Sequence, residues 1–182
     1  MAATFWKALK RTLALAVLAL VALLAWRAYD ALSSPELERW HTFVPQEATA
    51  EQIAKADWAQ YLEAEQRLFD EVRTEVTDKL DDEARTESNR YFSGSPIYPG
   101  RFATDWNRSY TLAPAGKPVG AVVLLHGLTD SPYSLRHVAR RYVQLGYVAV
   151  AVRLPGHGTV PAGLSKVHWE QWMAAPPLAV RE

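Results

Sequence analysis

No cysteine occurs in this sequence, and its 20 Lys and Arg are balanced by 20 Asp and Glu, which leaves no formal net charge. The first absence excludes disulfides, thiolate metal sites and a cysteine nucleophile. It leaves the compartment open, because an exported protein can do without disulfides. The second absence removes the electrostatic reason to expect a nucleic-acid partner. No two histidines stand at i, i+4 beside a carboxylate, as a zinc-binding helix requires, so neither a metal nor another cofactor is expected. What is present is apolar. With 49% hydrophobic residues, 182 positions can build one or two modest domains.

The first organising feature is at the N-terminus. Lys7, Lys10 and Arg11 precede an unbroken apolar run from Leu13 to Trp26, about 21 Å of helix at roughly 1.5 Å per residue. That is short for a hydrocarbon core of about 30 Å and close to the length of a signal-peptide core. The passable small-x-small cleavage pattern, Ala31-Leu32-Ser33, lies behind the charges of Arg27 and Asp30. If Lys10 and Arg11 snorkel, the stretch from Trp6 to Trp26 reaches about 31 Å with a tryptophan at each interface, which suits an uncleaved anchor. Residues 1–28 therefore read as a signal anchor or a signal peptide, with the membrane as partner. A buried helix of a soluble core is disfavoured because the run lacks a polar face. Basic residues ahead of the run predict the N-terminus inside and everything after Tyr29 outside, which is periplasmic in a bacterium. Cleavage would release a secreted protein instead.

Residues 29–108 read as a helical region and linker. Ser33-Ser34-Pro35 and Val44-Pro45 break the chain, and Thr49-Ala50-Glu51-Gln52 offers a capping box. Trp58, Tyr61, Leu62, Leu68, Phe69, Val72, Val76 and Leu80 then recur at spacings of three and four. This predicts one long amphipathic helix running to about Ala84. A stalk, a dimerisation helix and a plain cover for a core all fit that pattern. Its many carboxylates read as the solvated face and are assigned no chemistry. From Ser88 to Asn107 the period is lost, and Ser93-Gly94-Ser95-Pro96 and Tyr98-Pro99-Gly100 predict an irregular ordered loop. Asn107-Arg108-Ser109 fits a glycosylation sequon, a pattern too short to carry weight.

From Ser109 the period changes. Ser109 to Ala113 reads as a short strand and Pro114 to Pro118 as a turn. Ala121 to Leu125 reads as a strand buried on both faces, entered through a hairpin. Ser131 can cap a helix with Pro132 at its first position, and Leu135, Val138, Ala139, Tyr142 and Val143 share one face before Gly146 ends it. Tyr147 to Val152 is the next buried strand. Strand, amphipathic helix and strand form a βαβ unit, so the class is α/β with a parallel sheet. Ligands of such sheets bind beyond the carboxyl ends of the strands. Those ends carry His126 to Ser131 and Arg153 to Thr159.

At these two loops the sequence resembles the α/β-hydrolase superfamily, in particular monoacylglycerol lipase-like esterases and the serine aminopeptidase group. His126-Gly127-Leu128 looks like the oxyanion loop, and Pro155-Gly156-His157-Gly158 looks like the loop after the next strand. The resemblance covers residues 109–182 and implies the N-terminal part of a hydrolase sheet. It implies acyl transfer from a small ester, lipid or peptide substrate to a serine and then to water. On the same resemblance, the backbone N–H of Leu128 is one oxyanion donor and its side chain lines the acyl pocket. Gly127 lets the main chain turn close to the substrate, while His126 and, with Gly156 and Gly158, His157 shape their loops.

No Gly-x-Ser-x-Gly elbow occurs. Its nearest approach, Gly163-Leu164-Ser165-Lys166-Val167, has no strand before it, so Ser165 reads as an ordinary loop serine. His41, His137 and His168 sit in no catalytic pattern. No catalytic nucleophile, acid or base is assigned. The expectation is an incomplete hydrolase domain, the N-terminal portion of a membrane-anchored or exported serine hydrolase that is inactive alone. The alternative is a non-catalytic anchored binding or scaffold module that reuses half of the fold.

Overall fold

The structure is a computed structural model and describes residues 2–34 and 36–182; Pro35, part of the break read at Ser33 to Pro35, lies outside the described residues. Contacts divide the chain into two compact units, 1–37 and 38–182. The first is one helix, α1 (Ala2–Leu32). Its segment Phe5–Leu32 holds 28 residues, about 42 Å, and is long and apolar enough to cross a membrane.

The second unit has five helices, α2 (Arg39–Thr42), α3 (Ala50–Lys55), α4 (Trp58–Glu75), α5 (Arg136–Gln144) and α6 (Trp169–Arg181). Its strands are β1 (Tyr110–Leu112), β2 (Gly120–Leu125) and β3 (Tyr147–Val152). The class is mixed α/β with a small sheet in the order β1-β3-β2. β2 and β3 run parallel, with Gly120 opposite Tyr147 and Leu125 opposite Val152. β1 lies antiparallel to β3, with Tyr110 opposite Ala151. This corrects the expected hairpin: β1 does not pair with the strand that follows it. β3 takes the central place because its last four residues, Ala149 to Val152, are apolar and small enough to be covered on both faces. Val150 and Val152 pack with Ile53, Trp58, Tyr61 and Leu178 on one face. Ala149 and Ala151 pack with Leu124 and Ala139 on the other. β2 is an edge strand, so the burial expected for Ala121 to Leu125 is only partial; Ala121 is exposed and Leu125 is 48% exposed.

The helical region also departs from expectation. Thr49 and Gln52 do form the capping box that opens α3. The single long helix, however, is two helices followed by 3-10 turns at Thr77–Lys79 and Asp82–Ala84. A second capping box explains the break. Asp57 Oδ1 accepts the Gln60 N–H at 2.8 Å, and Gln60 Oε1 accepts the Asp57 N–H at 3.0 Å. An Asp in extended conformation at this position restarts the helix rather than continuing it. The apolar stripe packs as read, with Trp58, Tyr61, Leu68 and Val72 buried. One carboxylate sits on that stripe instead of the wet face: Glu65 is 3% exposed.

Ser131 does not cap the following helix. Its hydroxyl donates to Asn107 Oδ1 at 2.9 Å. Asp130 organises the turn instead, accepting the Ser131 N–H at 2.7 Å and the Ser134 hydroxyl at 2.6 Å around a 3-10 turn, Pro132–Leu135. Gly146, at φ +90°, closes α5 as glycine does past a helix end.

Candidate functional site

Two loops leave the sheet side by side at the carboxyl ends of its parallel strands. Residues 126–131 follow β2 and residues 153–159 follow β3. One histidine joins them. The Leu154 N–H donates to His126 Nε2 at 3.0 Å, while His126 Nδ1 lies 3.0 Å from the Gly127 carbonyl. An amide donor on Nε2 and a carbonyl acceptor by Nδ1 together demand the neutral ring protonated at Nδ1. Burial accordingly pulls the His126 pKa below its ordinary 6.5, outweighing the Gly127 hydrogen bond that raises it. His157 packs edge-on against His126, with ring centroids 4.9 Å apart. Its Nδ1 lies 3.0 Å from the Pro155 carbonyl, and that same carbonyl accepts the Trp172 indole N–H at 2.9 Å.

The second loop rests on an ion network that the sequence reading did not identify. Arg153 is 2% exposed. Its guanidinium donates to both oxygens of Glu47 at 2.8 and 2.9 Å, to Glu65 Oε1 at 3.0 Å, and to the His157 carbonyl at 3.0 Å. Burial alone would lower the Arg153 pKa; the charge and hydrogen bonds of Glu47 reverse that and raise it. Glu65 also receives the Ser109 N–H and hydroxyl, and Glu47 receives the Gly156 N–H at 2.7 Å. The Tyr61 hydroxyl donates to the Arg153 carbonyl at 2.6 Å. Thus α4, the segment before α3 and the residue preceding β1 all hold the loop after β3. The available signals were small: an acidic residue four positions after Tyr61 on an apolar stripe, and an arginine directly following a buried strand.

The glycines of the second loop are conformationally required. Gly156 and Gly158 stand at φ +82° and +74°, and a methyl on Gly158 would meet the Asn107 carbonyl oxygen at 2.7 Å. Gly127 differs. A methyl there would meet nothing within 4 Å, so no neighbour in the chain demands glycine, and its one structural correlate is open space above the loop. Strain sits two residues later, where Thr129 holds φ +62°.

Between the loops lies a cavity of about 360 Å³ walled by Thr129, Asp130, Gly156, His157, Thr159 and Tyr133, among others. Among the described residues, His157 Nε2 and Thr159 Oγ1 are buried polar atoms with no hydrogen-bond partner. Such orphans are rare in folded proteins and cost about 1–3 kcal/mol each. The Leu128 N–H, on an exposed residue, has no acceptor among the described residues. Leu128 is 69% exposed and forms no part of this cavity wall. Ser165 donates to the Ala162 carbonyl at 2.7 Å within the 3-10 turn Pro161–Lys166, well apart in the chain from any strand-to-helix elbow.

Over 58 residues the chain is 40% identical to a thermostable monoacylglycerol lipase of Bacillus sp. (strain H-257), covering 32% of this chain and 23% of the lipase. The similarity is to lipolytic enzymes. A solved structure from work on LipS and LipT, two metagenome-derived lipolytic enzymes, is 34% identical over 42% of this chain and 30% of its own, with a TM-score of 0.36. The chain spans about a quarter of the length of the curated lipase. No family model matches it.

Proposed function

We propose that residues 126–159 supply the oxyanion-loop side of an acyl-hydrolysis site in a serine hydrolase of the lipolytic type, acting on a small acyl ester, lipid or peptide. The observation that carries this reading is the Leu128 N–H, left without an acceptor at the carboxyl edge of the parallel strands, on a loop locked by His126 to its neighbour. The 40% identity to a monoacylglycerol lipase supports it. In acyl transfer, charge collects on the carbonyl oxygen as the tetrahedral intermediate forms, and a preorganised amide stabilises that charge without having to reorient. Loss of one such donor costs roughly 3 kcal/mol of transition-state stabilisation. His157 lacks the carboxylate partner that orients a general base, since its Nδ1 faces backbone carbonyls. No elbow serine is present, so this chain alone is inactive under the proposal. α1 serves as the membrane anchor with the second unit extracytoplasmic, or as a signal whose cleavage releases that unit.

A chimera tests the oxyanion assignment. Residues 109–182 replace the matching segment of the monoacylglycerol lipase, and hydrolysis of a short-chain nitrophenyl ester is followed. The chimera turns over, and Leu128→Pro, which removes the N–H, lowers kcat by roughly 10² to 10³ at unchanged fold by circular dichroism. A folded but inactive chimera refutes the proposal. It then favours the second reading, a non-catalytic anchored binding module, which rests on the missing elbow. Turnover by the native chain that is lost in Ser165→Ala overturns the inactivity expected of it.

A further inference from the structure

Beside the loop cavity, and sharing Arg90, Asn107 and Tyr133 with it, lies a larger pocket of about 730 Å³ that the hydrolase reading leaves unused. Its volume falls in the range of sites for small organic ligands. Its apolar wall is Ile97, Phe102, Trp106 and Tyr133. Ile97 is 51% and Phe102 59% exposed, so large side chains line a space that the chain itself does not fill. Its polar wall is cationic, formed by Arg90, Arg136 and Arg140. Arg136 lies 3.7 Å over the Tyr133 ring, and Arg140 lies 5.0 Å over the Trp106 ring. Among the described residues, none of the three arginines forms a salt bridge. The one acid in the wall, Asp105, is engaged with Asn107 and Arg108.

The helix bearing two of these arginines is electrostatically one-sided. From Ser131 to Gly146 the sequence has Arg136, His137, Arg140 and Arg141 and no Asp or Glu. Arg136 opens α5, where the helix dipole disfavours a cation, and Arg140 repeats the charge one turn on. Each guanidinium has one face covered by an aromatic ring. Arg136 Nη1 donates to the Tyr133 carbonyl at 2.7 Å; its other N–H groups and those of Arg140 have no acceptor among the described residues and can meet carboxylate or phosphate oxygens.

We propose that this pocket binds a single-chain anionic amphiphile, the alkyl chain lying along Phe102, Ile97 and Trp106 and the anionic headgroup held by Arg136 and Arg140. The proposal stands on the pocket's own charge and shape and does not depend on the hydrolase reading. The apolar α1 will also take up any alkyl probe, so the test must resolve position. The full chain in neutral detergent is photolabelled with a 12-carbon carboxylate carrying a terminal diazirine, below its micellar concentration, and labelled peptides are mapped by mass spectrometry. The carboxylate labels residues 97–106 and 133–140, and the matching alcohol labels α1 alone. The double variant Arg136→Gln/Arg140→Gln loses roughly tenfold or more of the pocket labelling while α1 labelling is unchanged. Arg141→Gln, on the same helix but outside the pocket wall, keeps it, which separates loss of binding from loss of fold. Equal pocket labelling by the alcohol overturns the proposal. So does labelling indifferent to the double variant, or displacement by inorganic phosphate alone, which identifies the occupant as a free anion.

Discussion

Replacing Arg153 by methionine keeps much of the side-chain volume and removes the cation between two carboxylates that are 7% and 3% exposed. The variant loses both oxygens' contacts to Glu47, the contact to Glu65 and the support of the His157 carbonyl. The two acids remain, buried and without a counter-ion. Breaking a buried ion pair by removing one partner costs about 3–5 kcal/mol, a large share of the roughly 5–15 kcal/mol that stabilises a typical domain. Urea denaturation of the full chain in neutral detergent, followed by far-ultraviolet circular dichroism, measures the cost. Arg153→Lys keeps the charge but not the planar fork, and should lose about 1.5–3 kcal/mol. The triple variant Glu47→Gln/Glu65→Leu/Arg153→Met removes the stranded charges and should recover most of the loss. Because Glu47 also accepts the Gly156 N–H, hydrogen exchange at Gly156 accelerates in Arg153→Met. A cost below about 1 kcal/mol, or a triple variant no better than the single, would refute the claim that this network holds the loop.

Gly158→Ala forces a methyl onto the Asn107 carbonyl oxygen at φ +74°, and should destabilise by about 1–3 kcal/mol in the same assay; a neutral result would mean the loop relaxes freely. The pH response follows from His126. Its folded pKa lies below 6.5, so the folded state binds fewer protons than the unfolded state between those two values. Stability therefore falls as pH drops below 6.5 toward the folded pKa. Of the charged or titratable groups around the ring, His157 and Arg153 lower its pKa and Asp130 raises it, alongside the Gly127 hydrogen bond. Asp130, whose own pKa is lowered chiefly by the Ser134 hydroxyl, contributes stability lost only at more acid pH. Thermal midpoints should fall between pH 7.5 and 5.5, and His126→Gln should flatten that slope; parallel slopes in the two proteins would exclude His126 as the cause.

Local chemistry was legible where local interactions decide. The Thr49 capping box, the α5 stop at Gly146 and the succession of β2, α5 and β3 all follow from patterns within short stretches of chain. The same locality misled elsewhere. Asp57 looked like one more charge on a solvated helix face, although Asp57-x-x-Gln60 carries the same reciprocal cap that was read at Thr49. The hairpin into β2 was drawn from adjacency, whereas β1 pairs with a strand some 40 residues on, because β3 alone can be covered on both faces.

Sequence by itself determined the apolar N-terminal helix, the α/β class and the two loops at the strand ends, each through periodicity or turn chemistry that acts over one or two turns of chain. Only the tertiary structure decided which charges are buried. Glu47 and Glu65 meet Arg153 across about 90 to 110 residues, and although spacing sets Glu65 on the apolar stripe, nothing in the sequence names its partner. Their selection is a matter of desolvation: a carboxylate that the packing of α4 drives out of water must find a cation there, and β3 ends where it can present one.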